Sequence, residues 1–132
     1  MHIKIKRIDQ TLPLPSYKTA GAAAFDLYSR TDMTIEPQAL AFIPTNLIIE
    51  SPKDHVLIIA PRSSTPKMGL LIPHVIGIID SDYCGEKDEI LVQVKNITDA
   101  PVTVERGERI AQGLFVKVEK AEWEEVEGHG VE

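Results

Sequence analysis

LAFIPTNLIIESPKDHVLIIA, residues 40 to 60, is the stretch on which the fold turns. Leu40–Ile49 and His55–Ala60 are apolar runs rich in β-branched residues, with Ser-Pro-Lys-Asp between them. Side chains of that shape suit a pleated strand, and the Pro-containing break suits a turn. Outward from this pair, His2–Ile8, Ile90–Asn96, Val102–Glu105 and Leu114–Glu119 alternate or run apolar in the same way. Pro, Gly, Asn and Asp separate them, so the chain reads as an all-β barrel or sandwich. Only Ser63–Met68 has a helix start, in which Thr65 serves as cap and Pro66 suits the first turn, and the element is short. Ala20–Ala24 favours a helix on propensity, but Gly21 interrupts it and Asp26 and Tyr28 follow, so it reads as a loop leading into a strand. After Trp123 the composition turns Glu- and Gly-rich. The chain is therefore read as a domain over residues 1–123 and a frayed acidic tail over 124–132.

With 132 residues the chain can bury one core but not two. A net charge of -6 and a pI near 5.2 argue against binding a nucleic-acid backbone, which needs a basic surface. The single cysteine, Cys84, excludes an internal disulfide framework and fits a reducing cytosol. The alternating start MHIKIKRIDQ is unlike a signal-peptide core, and no apolar stretch is long enough to cross a bilayer. A soluble, cytoplasmic protein without membrane or nucleic-acid partners is expected.

Four segments carry candidate chemistry. In Gly77–Glu86, GIIDSDYCGE, the run Gly-Ile-Ile reads as a buried strand, which puts Asp80 at the edge of the core where desolvation can tune a base. Tyr83 adds an apolar face with a polar tip. The same letters also read as a β-hairpin with a solvated Asp-Ser-Asp corner, while a calcium loop fails at Leu91, where a bidentate Glu is required. Pro61-Arg62-Ser63-Ser64 follows an apolar strand with hydroxyls, N–H groups and a guanidinium, which suits an anion as well as it suits an ordinary turn. RGERIAQGL, Arg106–Leu114, is a turn at Arg106-Gly107 and then a strand carrying Gln112. GAAAFDL, Gly21–Leu27, combines small residues with a second acid, Asp26. His2, His55, His74 and His129 lack metal-ligand spacing. No G-x-S-x-G elbow supports a Ser63, His74 and Asp80 triad, and no Walker loop is present.

In order and spacing these segments resemble the motifs of the trimeric dUTPases, the deoxyuridine 5'-triphosphate nucleotidohydrolases. GAAAFDL is similar to the first motif, PRSS to the second, GIIDSDYCGE to the third and GERIAQ to the fourth. The resemblance covers Lys4 to Val118 and implies a distorted jelly-roll-like β-barrel, a homotrimer with sites between subunits, and hydrolysis of dUTP to dUMP and pyrophosphate. It implies that Asp80 activates the water that strikes the α-phosphorus. Tyr83 is similar to the ring packed on the deoxyribose, which leaves no room for a 2′-hydroxyl. Arg62, Ser63, Ser64 and Gln112 match groups around the phosphates. The resemblance places His74, Gly77 and Ile79 on the hairpin that reads the uracil edge, and gives Asp26 the role of holding Mg²⁺ through waters.

Three departures stand beside it. The closing letters EVEGHGVE lack the family's Gly-rich fifth motif with Arg, Phe and Ser or Thr, implying slow turnover or another closing element. His74 stands where many relatives carry Asn, and Glu86–Glu89 makes the turn after the third motif long and acidic, with no role evident from sequence. Two alternatives remain. One is a dCTP deaminase of the same fold, opposed by Gln93 where that branch carries a catalytic Glu. The other is a catalytically weak dUTPase-like regulator that binds nucleotide.

Overall fold

A computed structural model describes residues 1–132. Eleven strands follow one another: β1 Lys4–Arg7, β2 Phe25–Tyr28, β3 Met33–Ile35, β4 Leu40–Pro44, β5 Leu47–Glu50, β6 His55–Ala60, β7 Leu70–Leu71, β8 Gly77–Ile79, β9 Leu91–Asn96, β10 Val102–Val104 and β11 Arg109–Lys117. The lone helical element is a 3₁₀ turn at Pro66–Met68. No helix is long and apolar enough to cross a membrane.

All strand pairs are antiparallel, and they form sheets in the orders β2-β11-β6-β8, β4-β9-β7, β1-β5 and β10-β3. The sheets wrap one core in a jelly-roll-like manner without closing into a continuous hydrogen-bonded barrel. Alternation decides which face turns inward. Phe25 and Leu27 of β2, Leu57 and Ile59 of β6, and Val92 and Val94 of β9 are buried together with Ile43, Ile90 and Val104. Gly113 of β11 lies where a Cβ would come within 2.8 Å of the Phe25 ring, so the strand reaches its neighbour only because no side chain is there. Gly69 ends the 3₁₀ turn at φ +84°, the left-handed region that glycine adopts without strain.

Asn96, fully buried, ties two sheets together. Its Nδ2 donates to Ile35 O at 2.9 Å and Ala100 O at 2.8 Å, and its Oδ1 accepts from Thr98 N at 2.9 Å and Thr98 Oγ1 at 2.7 Å. Every hydrogen-bonding position of that amide is thus filled.

Several sequence expectations change. Leu40–Ile49 is two strands rather than one, because Thr45-Asn46 makes a turn with Asn46 at φ 75°. The turn is invisible as polarity because its groups are paired. Asn46 Nδ2 donates to Asp9 O, Asp9 N donates to Asn46 Oδ1, and Thr45 Oγ1 donates to Ile90 O. Thr65 does not cap the 3₁₀ turn; its hydroxyl accepts from Arg62 N at 2.9 Å instead. The strand expected from Leu114 already begins at Arg109. Ala20–Ala24 is a loop leading into β2, as read. Residues beyond Val118 carry no regular element and are exposed.

Candidate functional site

The outward face of the β2-β11-β6-β8 sheet carries the candidate residues at two separate corners. At the first, register sets Gln112 of β11 between Asp26 of β2 and Ala60 of β6. Gln112 Nε2 donates to Pro61 O at 2.9 Å, which fixes the exit of β6. Arg62 then turns back: its Nε donates to Asp26 Oδ1 at 3.1 Å and its Nη1 to Ser64 Oγ at 2.7 Å. Arg109, which sequence reasoning left unassigned although it lies inside the GERIAQ segment, places Nη1 3.4 Å from Asp26 Oδ2. Ser63 is exposed beside them. Two guanidiniums, an amide and two hydroxyls around one carboxylate make a corner with surplus positive charge, suited to phosphate oxygens.

The second corner is open. Strand β8 pairs with β6 through Leu57↔Ile79, Ile58↔Ile78 and Ile59↔Gly77, and is an edge strand. It is not the buried strand the sequence suggested: Ile79 packs on the core, but Ile78 is 57% exposed. Nor does it form a hairpin with β9, which lies in another sheet. Asp80 is consequently exposed rather than desolvated, and lines a cleft of about 380 Å³ with Lys53, His55, Asp82 and Lys120. His55 Nδ1 lies 2.8 Å from Asp54 Oδ1, and that contact lowers the Asp54 pKa. Tyr83 is 38% exposed; its N–H donates to Asp80 O at 3.1 Å and its hydroxyl to Glu89 O at 3.3 Å. His74 Nδ1 lies 2.5 Å from Ile76 O in a tight turn whose tip, Val75, sits at φ 71°, a strained conformation for a β-branched residue. The His74 ring lies against Gly77, with Cε1 3.8 Å from where a Cβ there would stand.

Within one chain these two corners do not meet. Four residues of β6 and two strand spacings separate Asp80 from Gln112, ~16 Å by ideal strand geometry. Between them lie Leu114, Val116, Ile58, Val56 and Ile78, an apolar band.

The long acidic turn finds a physical role. Glu89, whose side chain is 13% exposed, accepts from Arg30 Nε at 2.8 Å, Arg30 Nη2 at 3.0 Å and Asn46 N at 2.8 Å. That hydrogen bonding holds the Arg30 pKa above its ordinary value against desolvation. Asp88 Oδ2 accepts from Gly85 N at 2.9 Å and closes the turn. No three His, Cys, Asp or Glu side chains converge to hold a metal directly. Asp26, with a guanidinium on each oxygen, would fit a hydrated divalent ion through water rather than by direct ligation.

Fold and site together define a class: an all-β jelly-roll-like domain with a corner of two guanidiniums around one carboxylate and a separate exposed carboxylate on the same sheet face. A family model described as dUTPase matches residues 10–130. The deoxyuridine 5'-triphosphate nucleotidohydrolase of Dictyoglomus turgidum is 40% identical over 132 residues, 96% of this chain and 88% of that relative. The one from Corynebacterium diphtheriae is 43% identical over 126 residues, 95% and 82% of the two chains. The solved dUTPase of Streptococcus mutans matches at a TM-score of 0.84 and 33% identity, covering 90% of this chain and 98% of that one. The chain belongs to the dUTPase family.

Proposed function

We propose that this protein hydrolyses dUTP to dUMP and pyrophosphate at sites assembled between the chains of a cytoplasmic homotrimer. The observation that carries the reading is the pair of corners on one sheet face. Asp80 stands ~16 Å from Gln112, too far for both to act on one triphosphate within a chain. The apolar band between them suits burial against a second copy, which would bring one chain's open corner to another's charged corner.

In that arrangement Asp80 accepts a proton from water as the water oxygen bonds to the α-phosphorus. The bond from that phosphorus to the α–β bridging oxygen breaks, and pyrophosphate leaves with the electron pair. Arg62, Arg109, Ser63, Ser64 and Gln112 hold the phosphate oxygens in line. Tyr83 packs on the sugar and excludes a 2′-hydroxyl, while His74 and the backbone of Gly77 and Ile79 face the base. Asp26 would hold Mg²⁺ through the ion's waters, and the ion would supply charge neutralisation on the triphosphate.

The test is pyrophosphate release from each deoxynucleoside triphosphate and from UTP, with and without Mg²⁺. Selective, Mg²⁺-dependent release from dUTP is expected. Equal rates with dCTP, or ammonia release, would instead indicate the deaminase branch. Mixing Asp80→Asn chains with Gln112→Ala chains should restore activity through mixed trimers. A fully active monomer by light scattering would overturn the shared site.

A further inference from the structure

We propose that Glu89 is a positioning residue for Tyr83: its carboxylate, clamped between the Arg30 guanidinium and the Asn46 N–H, fixes the backbone carbonyl to which the Tyr83 hydroxyl is bonded. The inference rests on the dUTPase reading above, which gives the Tyr83 ring the task of excluding a 2′-hydroxyl, and it assigns a role to the long acidic turn.

The turn from Asp80 to Asp88 has no strand partner, so its shape depends on how its ends are held. One end continues from β8. At the other, Glu89 meets three donors, two from Arg30 and one from Asn46. The socket is rigid. Arg30 N donates to Pro44 O, Thr45 N to Ile90 O and Ile90 N to Leu47 O, while the left-handed Asn46 is wired through its side chain to Asp9. A mostly buried carboxylate bonded in a planar fork has little freedom to shift. Its own carbonyl therefore stands still, and the Tyr83 hydroxyl at 3.3 Å anchors a ring that is otherwise half in solvent. Rejecting one hydroxyl group by contact demands placement well within an ångström, and only an anchored ring supplies that.

Glu89→Gln tests the clamp with almost no change of shape. An amide offers one acceptor and points N–H groups at donors. The ratio of kcat/KM for dUTP to that for UTP should fall roughly tenfold, chiefly through better acceptance of UTP as the ring yields to the 2′-hydroxyl. Amide exchange at Tyr83 and Gly85 should accelerate while Val92 and Val94 of β9 keep their protection. Arg30→Met should reproduce both effects, the double variant should be no worse than either single one, and in a Tyr83→Phe background Glu89→Gln should leave the ratio where it was. If Glu89→Gln does not fold, Glu89→Asp, which keeps the charge and shortens the reach, is read the same way.

A lowered melting temperature with the substrate ratio within about twofold of the parent's and unchanged exchange at Tyr83 would overturn the proposal, leaving Glu89 a plain structural ion pair. If the parent protein hydrolyses no dUTP, the dUTPase reading fails on its own, and the exchange measurement still decides the clamp. Faster exchange at Tyr83 and Gly85 upholds it and unchanged exchange refutes it.

Discussion

The two corners of the β2-β11-β6-β8 sheet use similar residue types in opposite ways. At the charged corner Asp26, Arg62, Ser64, Arg109 and Gln112 are bonded to one another or to backbone. At the open corner Asp80 is exposed on the lip of a cleft. A corner whose groups already satisfy each other contributes to holding the sheet and can present a fixed pattern of donors. An exposed carboxylate contributes little to the fold and keeps its lone pairs for a ligand. The difference implies that substitutions at the charged corner disturb the fold, whereas a substitution of Asp80 leaves it intact.

Asp80→Asn gives the largest expected effect. Turnover should drop ~10²–10⁴-fold, since an amide cannot take the water's proton, while the melting temperature stays within about 2 °C. A large fall in melting temperature would erase the contrast between the corners. Gly113→Ala should act on the charged corner's scaffold, because its Cβ would stand 2.8 Å from the Phe25 ring. Denaturant unfolding should show a loss of about 1–3 kcal/mol, and an unchanged midpoint would mean the ring moves aside freely. Gln112→Ala leaves the Pro61 carbonyl unpartnered, so it should cost about 1 kcal/mol of stability in addition to raising KM. If KM rises with no stability change, the two functions separate there as well.

The smallest effect concerns acid. Asp9, bonded to the Thr11 hydroxyl and to Arg106, has its pKa lowered from 3.8 to about 2. The folded state thus binds this proton less readily than the unfolded chain. The stabilisation is complete above the unfolded value and is lost as pH falls from near 4 toward 2. Asp9→Asn should therefore flatten the acid limb of a stability profile without altering the contrast between the corners.

The strands were legible where the core imposes alternation. His55–Ala60 was read to the residue, and Leu91–Asn96 and Val102–Val104 within one. Leu40–Ile49 misled because the turn inside it is internally satisfied, and β7 was too short to leave a period. The reading of β8 failed for another reason: Ile78 faces outward onto the apolar band, so hydrophobicity there does not report burial in this chain. The residue types of the site could be named from their motifs. Their separation could not, since it depends on which strands become neighbours. The pairing of Arg30 with Glu89, 59 positions apart, left no local trace.

Asn96 sets a limit on the chemical ageing of this protein. Deamidation at Asn96-Ile97 would replace two N–H donors by a carboxylate facing the Ile35 and Ala100 carbonyls, in a place water does not reach. Burial and four fixed bonds keep the side chain from the backbone approach that the reaction needs, so the amide is protected only while its surroundings hold. Once the chain opens and the amide is hydrolysed, the damaged molecule cannot close around the site again. Repeated heating should therefore be recorded at this residue and at the similarly buried Asn46, as a fraction of chains that no longer refold and that carry aspartate or isoaspartate there.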